Sequence, residues 1–409
     1  MDNKDLLNPR IMGVESDMYA LFDYLREHDP VSYVEHPDYL PFWSLSKYDD
    51  IKNIGQRNDE FLSAPRTVLV RRATEDMFEA KIGNRNGGEN LIHMDRPKHL
   101  KMRRVTREWF LPKGIEKLNG QMKDLSTEYV DKMLDRGDEC DFVKDIALEF
   151  PLRVILAILG IPREDEKMIL RITQEMFGSA DPDLRREGGL DESLSIIADL
   201  HQYFGELIKS RKKNPTNDLS SVIANAKIDG RPMNIVDQIN YFIIVATAGH
   251  DTTSSALSGG MKALIENPEQ MQKLKGNPEL DHTASREIMR WVSPVRHMVR
   301  TATKDLELRG KKIKAGENIA LWFPAANRDE SAIENANCFD VSRDPKKHLA
   351  FGYGAHMCLG QHLATAEIET FFRELLPRLS DIKMHKEPEW IRANFVGGLK
   401  SMPVNYHIH

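Results

Sequence analysis

The residue with the clearest chemical meaning is Cys358, which sits in Phe351-Gly352-Tyr353-Gly354-Ala355-His356-Met357-Cys358-Leu359-Gly360. The run behind it, Gln361 to Phe372, consists of strong helix formers with apolar positions at helical spacing. A cysteine just ahead of a helix N-terminus has its thiolate stabilised by free backbone N–H groups and by the helix dipole. Gly352, Gly354 and Gly360 let the backbone approach a flat ligand or adopt positive φ. The segment therefore offers one thiolate to a metal. Two other readings of these residues stay open: a buried structural cysteine ahead of an ordinary helix, and a zinc site that adds His362 at i+4. Structural zinc calls for several Cys or His ligands, and the chain has no CxxC.

A second chemical cluster is Ala246-Thr247-Ala248-Gly249-His250-Asp251-Thr252-Thr253-Ser254-Ser255. Its flanks predict a single helix from Asn234 to Glu266, about 30 residues or roughly 45 Å long. Asn234 and Asp237 form a plausible cap at its start, and Asn267-Pro268 stops it. A glycine followed by polar β-branched residues weakens the hydrogen-bond ladder in the middle, and threonine hydroxyls bond back to the preceding turn. The polar face of an amphipathic helix is one account of these residues. The apolar run Tyr241-Phe242-Ile243-Ile244-Val245 beside them demands a stronger reason.

The elements that must position these clusters are mostly helical, with apolar residues three and four apart in Leu118–Leu134, Leu194–Lys212 and Met233–Glu266. Short β-prone pieces lie at Val31–Val34, Phe42–Leu45, Leu306–Leu308 and Asn318–Trp322. The expected architecture is mainly α with small sheets built from sequence-distant strands. Gly83–Asn90, and Asp181-Pro182-Asp183 with Glu187-Gly188-Gly189, read as loops around a pocket. With 409 residues and no internal repeat or long linker, one domain over residues 1–409 is expected. A net charge of −6 gives no support to nucleic-acid binding. Three cysteines make no disulfide framework and suit a reducing compartment. The polar N-terminal stretch has no signal-peptide core or spanning helix, so a cytoplasmic protein without membrane attachment is expected.

The Cys358 segment resembles the cysteine loop of the cytochrome P450 family, whose pattern Phe351, Gly354, His356, Cys358 and Gly360 fill without a gap. Ala248-Gly249-His250-Asp251-Thr252 is similar to the family's oxygen-side helix motif. The resemblance implies the cytochrome P450 fold and haem b (iron protoporphyrin IX), with Cys358 as the axial iron ligand. It implies cofactor-binding roles for His99, Arg103, Ala248, Arg300, His356 and Gly360, the first two through the segment Asp95 to Arg103. Asp251 and Thr252 become the catalytic pair that manages protons for dioxygen cleavage. Glu287 and Arg290 look like the family's Glu-x-x-Arg pair, with Arg343 joining them in a structural role.

Ile244, Thr247, Ala248, Val295, Met298, Phe395 and Val396 match substrate-facing positions, and Thr247 or His297 is a candidate to bond a substrate hydroxyl. The runs Ala246–Ser255, Gly354–Ala364 and Asn394–Gly398 look most like those of α-terpineol-oxidising members. The implied activity is hydroxylation of a small hydrophobic substrate, a monoterpenoid first, by a monooxygenase using dioxygen. The alternatives are a steroid, aromatic or methoxylated substrate, peroxide-driven oxidation, or a haem-thiolate ligand sensor. The chain has no dinucleotide fingerprint or iron–sulfur cysteine set, so electrons are expected from a ferredoxin and its NAD(P)H-dependent reductase. Lys98, Lys101, Arg104, Lys346 and Lys347 would form the basic patch that attracts the donor. A monomer is expected.

Overall fold

The computed structural model describes the whole chain except residues 87, 178–180, 182, 185–189 and 345, with the side chains of 177 and 190–193 also left aside. The elements that bear on the site are helices α1 (Glu15–His28), α2 (Lys98–Arg104), α3 (Asn119–Asp135), α4 (Glu149–Ile158), α5 (Glu166–Phe177), α6 (Leu190–Lys213), α7 (Ile235–Ala248), α8 (Asp251–Glu266), α9 (Asp281–Val292) and α10 (Gln361–Arg378). The strands of the two larger sheets are β1 (Val31–Val34), β2 (Phe42–Leu45), β3 (Phe61–Leu62), β4 (Glu139–Asp141), β5 (His297–Ala302), β6 (Asn318–Trp322), β7 (Leu379–Met384) and β8 (Pro403–Ile408).

The strands join distant parts of the chain. The larger sheet has the order β1-β2-β6-β5-β3, and a smaller one has the order β7-β8-β4. β6 runs parallel to β2 and antiparallel to β5, with Ile319 opposite Trp43 on one side and Arg300 on the other. One large apolar cluster fills the helical body, and two smaller clusters flank the main sheet.

At the centre, α8 packs on α4, α9 and α10. Close approach to α9 depends on Gly259 and Gly260, where an added Cβ would stand 2.7 Å from Val292 and from Ile288. The long helix expected over Asn234–Glu266 is two helices. Asn234 caps the first through its Oδ1 and the Asp237 N–H at 2.8 Å, as its sequence suggests. It ends at Ala248, and the second starts at Asp251 after His250, whose φ −104°, ψ −72° are distorted from ideal helix values. Gly249 fits this break because a Cβ there would meet Val245 O at 2.9 Å and Ile155 Cγ1 at 3.0 Å. Hydroxyl back-bonding continues across it, from Thr252 to Ala248 O at 2.9 Å and from Ser255 to Asp251 O at 2.8 Å.

The four β-prone pieces named from sequence are strands with those bounds. Among the described residues, no helix is long and apolar enough to cross a membrane.

Candidate active site

Between α7–α8 and the segment leading into α10 lies a cavity with about 1510 Å³ of space free of protein atoms, part of it open to solvent. Cys358 is on one wall. Ala248, Gly249, Thr252 and Thr253 belong to the wall supplied by the helix break.

The cysteine loop is held by backbone bonds: Cys358 N–H donates to Phe351 O at 2.8 Å, and Gly352 N–H to Leu349 O at 2.8 Å. Gly354 has φ +76°, and a Cβ on it would fall 1.9 Å from Gly55 O, so only glycine lets this loop press on the helix Tyr48–Gln56. Ala355 N–H donates to Asn58 Oδ1 at 2.9 Å on the same side. The Cys358 side chain has open surface, and the cavity is where that surface faces. Burial among protein atoms pushes its thiol up, while the Gly360 N–H and the Arg103 guanidinium pull the other way. A bound metal would settle that competition in favour of thiolate.

A group of basic side chains lines the same cavity, two of them buried (His99 from α2 and Arg300 from β5) and two half-buried (Arg103 from α2 and His356 from the loop). The His99 and His356 rings stack 4.1 Å apart, and His356 Nε2 lies 3.1 Å from Ser63 Oγ. His99 is 1 % exposed, and neither ring nitrogen has a hydrogen-bond partner among the described residues. Arg300 Nη1 donates to Val299 O at 2.8 Å, but its buried Nε has no partner among the described residues. Arg103 Nη2 donates to Met357 O at 2.6 Å. Burial, then the nearby guanidiniums and His99, depresses His356 to about 2, and burial followed by Arg103 and Arg300 brings His99 to about 4. Both imidazoles are neutral near pH 7. The nearest carboxylate acting on Arg300 is Asp95, whose oxygens already accept from Ser63 and Ala64 N–H at 2.9 Å. A buried guanidinium with a spare donor, with the half-buried Arg103 beside it on an open cavity, asks for an anionic ligand.

The loop is braced from behind. Glu287 and Arg290 are each 1 % exposed and bonded in parallel, Nε to Oε2 at 2.7 Å and Nη2 to Oε1 at 2.8 Å. Arg290 also donates to Asn327 O and Ala336 O at 2.7 Å and to Cys338 O at 3.1 Å. Arg343 joins as expected, 3.2 Å from Glu287 Oε1. Asn327 Oδ1 accepts from Leu349 N–H at 2.7 Å, which connects this network to the turn that precedes Cys358.

The sequence-named substrate residues divide. Ile244, Ala248, Val295 and Met298 line the cavity. Thr247, Phe395 and Val396 do not reach its wall. Thr247 is buried with its hydroxyl donated to Ile243 O at 2.7 Å. Val396 bridges Val295 from behind, and the Phe395 ring packs against His297 at 5.7 Å. His297 has both nitrogens engaged, Nε2 with Leu69 N–H at 3.0 Å and Nδ1 with Asn394 O at 2.8 Å, so it is not free for a substrate hydroxyl.

Asp251 stands behind the wall that Thr252 forms, and its Oδ2 is buried without a partner among the described residues. Burial pushes its carboxyl up, opposed by His250.

Leu91 and Ile92, just past the Gly83–Asn90 loop, reach the cavity, whereas the described residues of that loop do not. The other proposed loop lies largely outside the described residues; its Asp181 is tied down by Lys400 Nζ at 3.2 Å and Arg392 N–H at 3.1 Å. In the basic patch, Lys98 pairs with Glu89 and Lys101 with Asp229, which leaves Arg104, Lys346 and Lys347 as its exposed charges.

Sequence reasoning missed Glu367 of α10, a cavity-lining carboxyl 0 % exposed whose two oxygens have no partner among the described residues. Burial raises it far above the usual carboxylate range, so it is a neutral acid. The signal was present: Leu363, Glu367 and Phe371 fall at i, i+4 and i+8, in the middle of an apolar stripe. Tyr241, also lining the cavity and bonded to Thr106 at 2.8 Å, was read only as flank.

Comparison with known proteins agrees with this geometry. A model of the family Cytochrome P450 matches residues 17–407. The chain is 38% identical to Cytochrome P450-terp of Pseudomonas sp over 98% of its length and 96% of that protein's. It is 34% identical to a methyl-branched lipid omega-hydroxylase of Mycobacterium tuberculosis, covering 94% of this chain and 90% of that protein. The crystal structure of CYP108D1 from Novosphingobium aromaticivorans superposes with a TM-score of 0.92 at 38% identity, covering 99% and 98% of the two chains. The chain belongs to the cytochrome P450 family of haem b monooxygenases.

Proposed function

We propose that the enzyme hydroxylates a small apolar molecule, a monoterpenoid as the leading class, with dioxygen and with electrons from a ferredoxin served by an NAD(P)H-dependent reductase. The observation that carries this reading is the cavity wall opposite Cys358. Ile244, Val295, Met298, Leu91 and Ile92 offer no charge and no hydroxyl to a ligand, although Thr252, Glu367, Tyr241 and the cations line other parts of the cavity. Such walls select by shape and burial of apolar surface. Similarity to Cytochrome P450-terp favours a terpenoid over the lipid class of the second relative.

The residues fit the family's cofactor. Cys358 would ligate its iron, and Arg103, Arg300, His99 and His356 would receive its two carboxylates, the partners that Arg300 Nε and the His99 nitrogens lack among the described residues. Ala248 and Gly360 line the cavity at the two sides of that space. When bound, the haem supplies dioxygen activation and C–H oxidation.

The chain's own part is to seat substrate and to handle protons and water. Thr252, its own proton given to Ala248 O, offers oxygen lone pairs to the cavity and so accepts a hydrogen bond there. Asp251 is the proton donor in reserve, since a buried carboxyl with a raised pKa carries a proton at neutral pH more readily than a solvated one. This division of labour favours dioxygen with two delivered protons over a peroxide-driven reaction. Arg104, Lys346 and Lys347 mark where an acidic donor would approach the thiolate side. The chain works as one domain and a monomer, in the cytoplasm.

The test is a screen of terpenoids, steroids, aromatics, methoxylated compounds and methyl-branched lipids for a ligand-induced change in haem spin state, followed by turnover with ferredoxin and reductase or with peroxide alone. The reading predicts a terpenoid response and product only with the electron donors. A response confined to steroids or lipids, or equal product with peroxide alone, contradicts it.

A further inference from the structure

His250 occupies the break between α7 and α8, is 0 % exposed, and has every polar contact filled by an acceptor. Its Nε2 lies 2.8 Å from Leu148 O, a carbonyl that has no proton to give. Nδ1 lies 3.4 Å from Thr173 Oγ1 and 3.2 Å from Asp251 Oδ1. The Thr173 hydroxyl proton is already committed to Leu170 O at 2.9 Å, so toward His250 this oxygen presents a lone pair. A neutral imidazole satisfies only one of two nitrogens that both face acceptors. The arrangement is satisfied when Nδ1 also bears a proton, or when the facing carboxyl of Asp251 bears it instead. His250 is also the charged group that acts on Asp251, among the described residues.

We propose that His250 is a proton-holding positioning residue for Asp251: Nε2 is fixed as a donor by Leu148 O, one proton is shared between Nδ1 and Asp251 Oδ1, and Oδ2 is thereby left as the oxygen that passes protons on. This rests on the reading that Asp251 supplies protons to the cavity. The balance is simple. From imidazolium and carboxylate, transfer of the Nδ1 proton to Asp251 gives imidazole and carboxylic acid with no change in net charge. Release of that proton toward the cavity leaves imidazole and carboxylate, one charge more negative, and one proton from solvent restores the pair. Burial makes the depleted, net-anionic pair costly, so reloading follows each delivery.

The experiment uses the haem-loaded protein with 15N-labelled histidine, reduced and bound to carbon monoxide so that it is diamagnetic. Wild type and Asp251→Asn are compared near pH 7, and peroxide released per oxygen consumed is measured for both. The His250 signals are assigned by their loss in His250→Gln; should that variant not fold, they are the signals that move in both Thr173→Val and Asp251→Asn. The proposal predicts a wild-type Nδ1 signal displaced toward the protonated range, moving to the bare-nitrogen range in Asp251→Asn, with Nε2 protonated in both. A bare Nδ1 in wild type, the same Nδ1 signal in both proteins, or no histidine signal that responds to both substitutions overturns it. If Asp251→Asn raises peroxide release while Nδ1 is bare in wild type, Asp251 keeps its role and the shared proton is refuted. If Asp251→Asn leaves peroxide release unchanged, the underlying reading fails, and this inference with it.

Discussion

Arg290→Lys is the substitution that best measures how the fold holds its thiolate loop. It keeps the charge, so its effect isolates hydrogen bonds. Arg290 makes five: two to Glu287, and one each to Asn327 O, Ala336 O and Cys338 O. An ammonium has three N–H groups, so at least two of the five bonds go unmade, while Glu287 keeps Asp340 N–H and Arg343 and Cys338 O keeps Arg343. At about 1.5–3 kcal/mol for each bond to a charged group, the predicted loss is about 3–6 kcal/mol. That is a large share of the roughly 5–15 kcal/mol that holds a typical domain together. Because Asn327 also binds the Leu349 N–H ahead of Cys358, the damage should fall first on the loop. Equilibrium denaturation, followed in parallel by backbone circular dichroism and by haem absorbance, separates the two effects. The expected result is a large loss of stability, with haem released at lower denaturant than the helices melt. A loss under about 1 kcal/mol with coincident, wild-type-like haem retention would refute the reasoning.

Three further outcomes are expected. Thr252→Ala should leave oxygen consumption running while product falls and peroxide rises, because the lone pairs it presents to the cavity are gone; unchanged coupling, measured with oxygen and peroxide electrodes, removes Thr252 from the role. Arg300→Leu should weaken haem retention by about ten-fold to a hundred-fold, the worth of one charge-assisted hydrogen bond to a carboxylate, read by haem transfer to apomyoglobin. Acid should destabilise the protein through His297 and His348, which burial, ahead of the flanking arginines, depresses to about 4 and about 3. In the unfolded chain such rings bind protons from about 6.5 downward. Between about 6.5 and about 4 the unfolded state therefore holds more protons, and stability falls as pH drops through that window, by up to about 1.4 kcal/mol per ring per pH unit. Urea midpoints measured from pH 8 to pH 4.5 test this, and a flat profile contradicts it.

Much of the site was legible because its demands are local. A glycine-spaced cysteine ahead of a helix is visible in ten consecutive residues, and the structure brings His99, Arg103, Arg300 and His356 to the cavity that Cys358 faces. Local periodicity also found β1, β2 and β6. What it missed depends on contacts between distant segments. The break at Gly249–His250 was foreshadowed by weak helix formers, but its placement follows from Ile155 of α4 pressing on Gly249. Thr247 was placed in the pocket because it neighbours Ala248 in sequence, yet one residue rotates a helix by about 100°; the row Tyr241, Ile244, Ala248 and Thr252 faces the cavity and Thr247 turns away. Phe395 and Val396 lie in a segment whose approach is fixed by bridging to Val295 and Arg296, which a single sequence does not display. Glu367 reads as one more helix-surface acid until its apolar row is laid against α8.

The central claim is that Cys358 thiolate is the iron ligand of this cavity. The direct measurement is the Soret absorption of the reduced, carbon monoxide-bound protein, wild type beside Cys358→His. The account predicts the long-wavelength band of thiolate ligation in wild type and its replacement by the shorter-wavelength band of imidazole ligation in the variant. A folded wild-type protein that takes up no haem, or one whose band is the same in both proteins, would contradict it.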